Sequence, residues 1–257
     1  MVVVMKSTVQ ILTVLAAQKR MARSLSVSEG IKEILDPISL KQLEFCITQT
    51  HEIITLCSSL PGLEKNAAEV MRSRELVNDF IRQNISLMSQ INERFLLKLL
   101  NSAIGAQHAG NCYEFAFYTQ SLLDKAGINT QVFRVKKPGT DDSHVFLVAK
   151  LHSDTTNPED PRFLDSSAMV VDPFMKKIYL AKEIPRYLEV CVFDPKSETV
   201  SYLPFSKSEH VLDNKVHKEL VEDWQLFLQA KNPPSKEKEV GLDESSSISP
   251  SNKQSLS

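Results

Sequence analysis

Glycine is scarce, with seven in 257 residues. No G-x-G-x-x-G and no G-x-x-x-x-G-K occurs, so the loops that cradle nucleotide phosphates on backbone N–H groups are absent. The four cysteines, Cys46, Cys57, Cys112 and Cys191, form no C-x-x-C pair. That argues against a zinc site and a disulfide scaffold, and favours a reducing compartment. Lys/Arg-rich runs are also missing, and a net charge of −2 gives nucleic acid no electrostatic reason to bind. No stretch reaches the ~18 consecutive apolar residues that span a bilayer. Acidic residues are absent from Met1 to Ser28, whereas Lys6, Lys19, Arg20 and Arg23 are basic. Lys19, Arg20 and Arg23 follow the apolar run Val9 to Ala17 and no cleavage site is organised, so an amphipathic helix is expected there rather than a signal or transit peptide.

What is present is ordinary for a globular chain. A hydrophobic content of 42% and a charged content of 24% allow a sizeable core, in one domain or one domain plus a smaller helical lobe. Leu43, Ile47, Thr50, Ile54 and Cys57 step by four and three and share one helical face, before Pro61-Gly62 breaks the pattern. Ala67, Val70, Val77, Phe80 and Ile81 give a second face, and Met88, Ile91, Phe95 and Leu99 a third. These stripes read as helix–helix core. After Cys112 the texture changes. Phe115, Thr119, Leu122 and Ala126 continue a helical face, which Gly127 ends as a C′ residue. Strands are expected at Thr130 to Val135, His144 to Leu151, Ala168 to Val171 and Tyr187 to Phe193, with a loop from Lys136 to Ser143. A last amphipathic helix carries Val216, Leu220, Trp224 and Phe227. From Asn232 to Ser257 the chain is Ser-rich without aromatics, and is expected to be disordered. The fold class expected is α+β. A helical N-terminal region (1–104) precedes a core (105–231) in which a Cys-bearing helix packs on a small, mostly antiparallel sheet, and a tail follows (232–257).

Cys112, His144 and Asp172 occur in that order, each at the edge of a regular element. A thiol, an imidazole and a carboxylate are the parts of a nucleophilic triad: the thiolate attacks, the imidazole carries the proton and the carboxylate orients the imidazole. Asn111 is an N-cap residue type, which makes Cys112 the first residue of its helix. There the helix dipole and unpaired N–H groups favour a thiolate and can hold an oxyanion. Gly110 is expected to let the backbone approach closely without shielding the sulfur. Cys46, Cys57 and Cys191 sit in apolar patterns and read as small buried hydrophobes. Asp165 is a rival for the third position and His152 a weaker rival for the second.

Gly110-x-Cys112 at a helix start, His144-Val145-Phe146, Val171-Asp172-Pro173 and the link Leu122-Leu123-Asp124-Lys125-Ala126-Gly127-Ile128 resemble the transglutaminase-like superfamily of papain-type thiol enzymes. The resemblance spans about residues 105 to 195. The family often has Trp after its histidine motif, where this chain has Phe146, and the interval from His144 to Asp172 carries an insert around Ser153 to Arg162. Gln107 stands about one residue away from the oxyanion-donating glutamine of papain-like enzymes.

The resemblance implies a transglutaminase-like core and a thiol enzyme acting on amide bonds of a protein or peptide, with no cofactor and no metal. Hydrolysis by a protease or deamidase is the first expectation, amide transfer to an amine the second, and a non-catalytic binding module the third. The Ser-rich tail with Asp243-Glu244 resembles the C-terminal signals of bacterial effectors sent through type IV secretion. It implies a protein that is cytoplasmic, or delivered into a host cell with a host protein as its target.

Overall fold

The computed structural model describes residues 24–85, 93–149 and 167–231. The N-terminal apolar run, the insert with His152 and Asp165, and the Ser-rich tail lie outside the described residues.

The described chain is mixed α+β. It opens with β1 (Ser26–Val27), α1 (Glu29–Ile34), α2 (Pro37–Ile53), α3 (Ala67–Ile85) and α4 (Glu93–Gln107). Then come α5 (Cys112–Lys125), β2 (Thr130–Lys136), β3 (Ser143–Ala149), β4 (Met169–Asp172) and β5 (Lys177–Leu180). The remainder is α6 (Ile184–Tyr187), β6 (Glu189–Asp194), β7 (Thr199–Pro204), β8 (Val211–Asp213) and α7 (Val216–Lys231). Asp36 starts α2 by accepting from the Ile38 and Ser39 N–H groups, and Pro37 fits the first turn, where no N–H is needed. The helix ends at Ile53, short of the apolar stripe that runs on to Cys57. The Thr55 and Leu56 N–H groups turn instead to the His108 carbonyl at 2.9 and 3.1 Å, which pulls the chain out of the helix.

Among the described residues, eight strands form one curled sheet ordered β1-β5-β4-β3-β2-β8, larger than the sequence suggested. Every pairing is antiparallel except β1 with β5. One edge of β3 serves two strands: Leu147 to Ala149 pair with β4, whereas Ser143 pairs with Cys191 of β6. The β6–β7 hairpin therefore departs from the sheet beside His144.

Strand alternation divides the core. Val145, Leu147 and Ala149 face the helices, in a cluster that runs from Ile31 to Val216. Phe146, Val148 and Val170 face the other way, with Tyr179, Leu188 and Phe205. The helical region and the sheet thus share one apolar cluster. Buried hydroxyls fix α2 against α5: Thr50 donates to the Cys46 carbonyl at 2.9 Å, so Thr119 donates to Thr50 across 2.7 Å. This pair positions the helix that carries Cys112.

Candidate active site

Cys112 is the first residue of α5 and half-buried, on the wall of a cavity of about 500 Å³. The segment before it is tied down residue by residue. His108 closes α4 in the left-handed region, φ 56°, with its ring nitrogen Nδ1 2.9 Å from the Ile53 carbonyl. Ala109 bridges to Leu56, and the Gly110 N–H donates to the Leu56 carbonyl at 2.9 Å. Asn111 occupies the N-cap position, but its side chain braces the neighbouring loop. Oδ1 accepts from the Ser58 and Ser59 N–H groups at 2.9 and 3.0 Å. The reciprocal contact is made by Glu114, whose Oε2 accepts from the Asn111 N–H at 2.8 Å.

Glu114 also explains Gly110. A Cβ at Gly110 would stand 2.3 Å from Glu114 Cβ, so the glycine makes room for the carboxylate stem rather than uncovering the sulfur. Gly110→Ala is expected to destabilise the protein by about 1–3 kcal/mol through overpacking. Thermal melts of the two proteins check this, and an unchanged melting temperature would contradict it.

His144 and Asp172 are fully buried and joined by a 2.7 Å bond from His144 Nε2 to Asp172 Oδ2. The second oxygen of Asp172 accepts from the Met175 N–H at 3.0 Å, so the carboxylate is fixed by the turn after β4. Ring contacts with Phe174 at 6.1 Å and Tyr202 at 6.0 Å hold the imidazole. With Nε2 engaged, Nδ1 is the nitrogen left to exchange a proton with Cys112, and it has no hydrogen-bond partner among the described residues. Burial alone would push the imidazole down. The Asp172 carboxylate and then Cys112 outweigh burial and lift it to about 10.

Three expected residues therefore converge: Cys112 from a helix start, His144 from β3 and Asp172 from the end of β4. Gln107 ends α4 outside the cavity wall. Cys191 departs from the reading of a plain core thiol. It is half-buried on the same cavity as Cys112 and neighbours the Tyr202 hydroxyl, and burial followed by the Cys112 charge pushes its thiol up to about 11. Cys57 is a core thiol, pushed up to about 12 by burial.

Sequence reasoning missed Arg74, Tyr202 and His51. Arg74 binds Glu114 through Nε at 2.7 Å and Nη2 at 2.8 Å. The Tyr202 hydroxyl donates to the Ser59 carbonyl at 2.9 Å, tying β7 to the loop that Asn111 braces. His51 Nε2 sits 2.7 Å from the Pro173 carbonyl and so donates to the residue after Asp172. Burial and then the Lys176 charge push His51 down to about 4, so its neutral form makes this bond. No short motif marks these residues, because each reaches the site from a distant element.

No family model matches the chain, and none of the curated proteins matches it. A thiol at a helix N-terminus, a buried imidazole held in one orientation and a cavity in front of the sulfur suit nucleophilic attack on a carbonyl carbon. Among the described residues, no group of three or more His, Cys, Asp or Glu side chains could hold a metal ion, and no helix is long and apolar enough to cross a membrane.

The two histidines give stability a pH optimum. His51 is lowered in the folded state, so its contribution is complete above its unfolded value of ~6.5 and is lost as pH falls towards about 4. His144 is raised, so its contribution is complete below ~6.5 and is lost as pH rises towards about 10. Unfolding free energy measured in urea is expected to peak near pH 6.5. A profile still rising from pH 7 to 9 would contradict this.

Proposed function

We propose that this protein is a thiol enzyme acting on amide bonds of a protein or peptide through Cys112, His144 and Asp172. The observation that carries the reading is the buried His144–Asp172 bond with Cys112 on the imidazole's other side. Cys112 is the nucleophile, His144 the proton carrier and Asp172 the orienter. Unpaired N–H groups of the first turn of α5 receive the oxyanion. Attack forms a thioester to Cys112 and expels the amine, which takes its proton from His144. Water activated by the returned imidazole then frees the acid. The cavity admits a side chain or a few residues of a chain, so hydrolysis of a peptide bond or of a glutamine amide is the preferred outcome. A primary amine in place of water would give amide transfer. The sequence motifs support a transglutaminase-like core.

A non-catalytic binding role is favoured by one observation: His144 has no exposed surface. Proton exchange with substrate must then pass beside Cys112. Reaction with p-nitrophenyl acetate separates the readings. The enzyme reading expects a burst of p-nitrophenolate with one acetyl group on Cys112 by mass spectrometry, absent in Cys112→Ala. No burst, or a burst unchanged in that variant, would leave the binding role.

A further inference from the structure

Glu114 raises a difficulty for a nucleophile at the start of α5. It places a buried carboxylate two residues from Cys112, at the same positive helix end that would favour a thiolate. Two anions at one helix terminus repel, and burial strengthens the repulsion. Arg74 answers this from α3, a helix with no other part in the triad. Its bidentate pair with Glu114 is the strong geometry for a guanidinium and a carboxylate. Burial opposes the Arg74 charge, and Glu114 and then Cys112 hold it on, so the guanidinium stands in the field of the sulfur.

Resting on the reading of Cys112 as the nucleophile, we infer that Arg74 is a positioning residue that sets the reactivity of Cys112. It acts in two ways. Through Glu114 it fixes the Asn111 N–H and hence the first turn that receives the oxyanion. By charge it offsets Glu114, so that the sulfur can become an anion beside it.

Other groups facing the sulfur do not duplicate this. His144 of β3 carries the paired proton, and Asp172 of β4 acts through it. Cys191 of β6 and Tyr202 of β7 are neutral thiol and phenol, each pushed up by burial first. On the helix itself Tyr113 is likewise pushed up by burial. Of the charges on the cavity wall, Arg134 of β2 is spent on Asp213 and Glu219, and Asp141 adds negative charge. Arg74 is thus the cation that balances the carboxylate beside the nucleophile.

The test is a comparison of signs. Cys112 alkylation by iodoacetamide at pH 6 is measured in the full chain for wild type, His144→Ala, Arg74→Ala, Arg74→Lys and Glu114→Gln, with circular dichroism as the check on folding. Arg74→Ala is expected to slow alkylation about tenfold, which corresponds to one unit of proton affinity. Arg74→Lys, which keeps the charge without the bidentate grip, should recover most of the rate. Glu114→Gln keeps an acceptor for the Asn111 N–H and removes the anion, so it should label faster than wild type.

A purely structural bracket predicts slower labelling in Arg74→Ala and Glu114→Gln alike, and that result overturns the inference. If Arg74→Ala fails to fold, the direction of the Glu114→Gln change decides alone. A His144-dependent wild-type rate that Arg74→Ala leaves unchanged sinks this inference and spares the triad. A wild-type rate no faster than that of His144→Ala sinks both.

Discussion

Asp172→Ala is expected to cost about 3–5 kcal/mol of stability, the range for removing one partner of a buried ion pair. The change strands a fully buried imidazole that is otherwise charged and paired. It also removes the acceptor of the Met175 N–H in the turn after β4. Asp172→Asn keeps one acceptor oxygen, for either the His144 or the Met175 donor, and no charge, and should fall between wild type and alanine. Urea unfolding at pH 6.5 reads both, and an alanine variant within 1 kcal/mol of wild type would contradict the account. Sequence reasoning about an orienting carboxylate expects its loss to affect rate much more than stability. Burial makes the expected stability cost large as well, because the same carboxylate also holds the turn after β4.

Among changes that leave the Cys112 thiol in place, His144→Ala should have the largest effect on reactivity. Removing a general acid–base typically costs ~10²–10⁴ in rate. The rate of the p-nitrophenolate burst at pH 6.5 is expected to fall within that range, while Cys112 remains available to reagents at alkaline pH. A tenfold loss or less would mean that the imidazole is a packing residue between Phe174 and Tyr202 and not the proton carrier.

Much of residues 105–231 was legible because its signals are local. Asn111 before an apolar period marks the start of α5, and Gly127 at φ 78° follows its end. Alternation and β-branching locate β2, β3, β4 and β6 within one or two residues. Asp172 terminates β4 as the Asp-Pro pair suggests. The strands that escaped notice, β1, β5, β7 and β8, are short or half-exposed, so their periodicity is weak.

What could not be read are the contacts that bring distant segments together. Asn111 has an N-cap's identity and position, yet its oxygen goes to Ser58 and Ser59, whose N–H groups need a partner once α2 has ended. Gly110 permits a close approach, but of Glu114, a contact that exists only after the carboxylate folds back. Arg74 lies on a helix whose apolar stripe speaks only of packing, and nothing in its neighbours announces a guanidinium at the site. Cys191 sits in an apolar run and reaches the cavity because β6 leaves the sheet at Ser143.

The measurement that bears most directly on the central claim is the rate of Cys112 alkylation by iodoacetamide from about pH 5 to pH 10.5, in wild type and His144→Ala. A thiolate–imidazolium pair predicts labelling at pH 6 far faster than an ordinary thiol gives, and its loss at low pH in the variant. A rate that climbs as an ordinary thiol does near pH ~8.5, the same in both proteins, would contradict it.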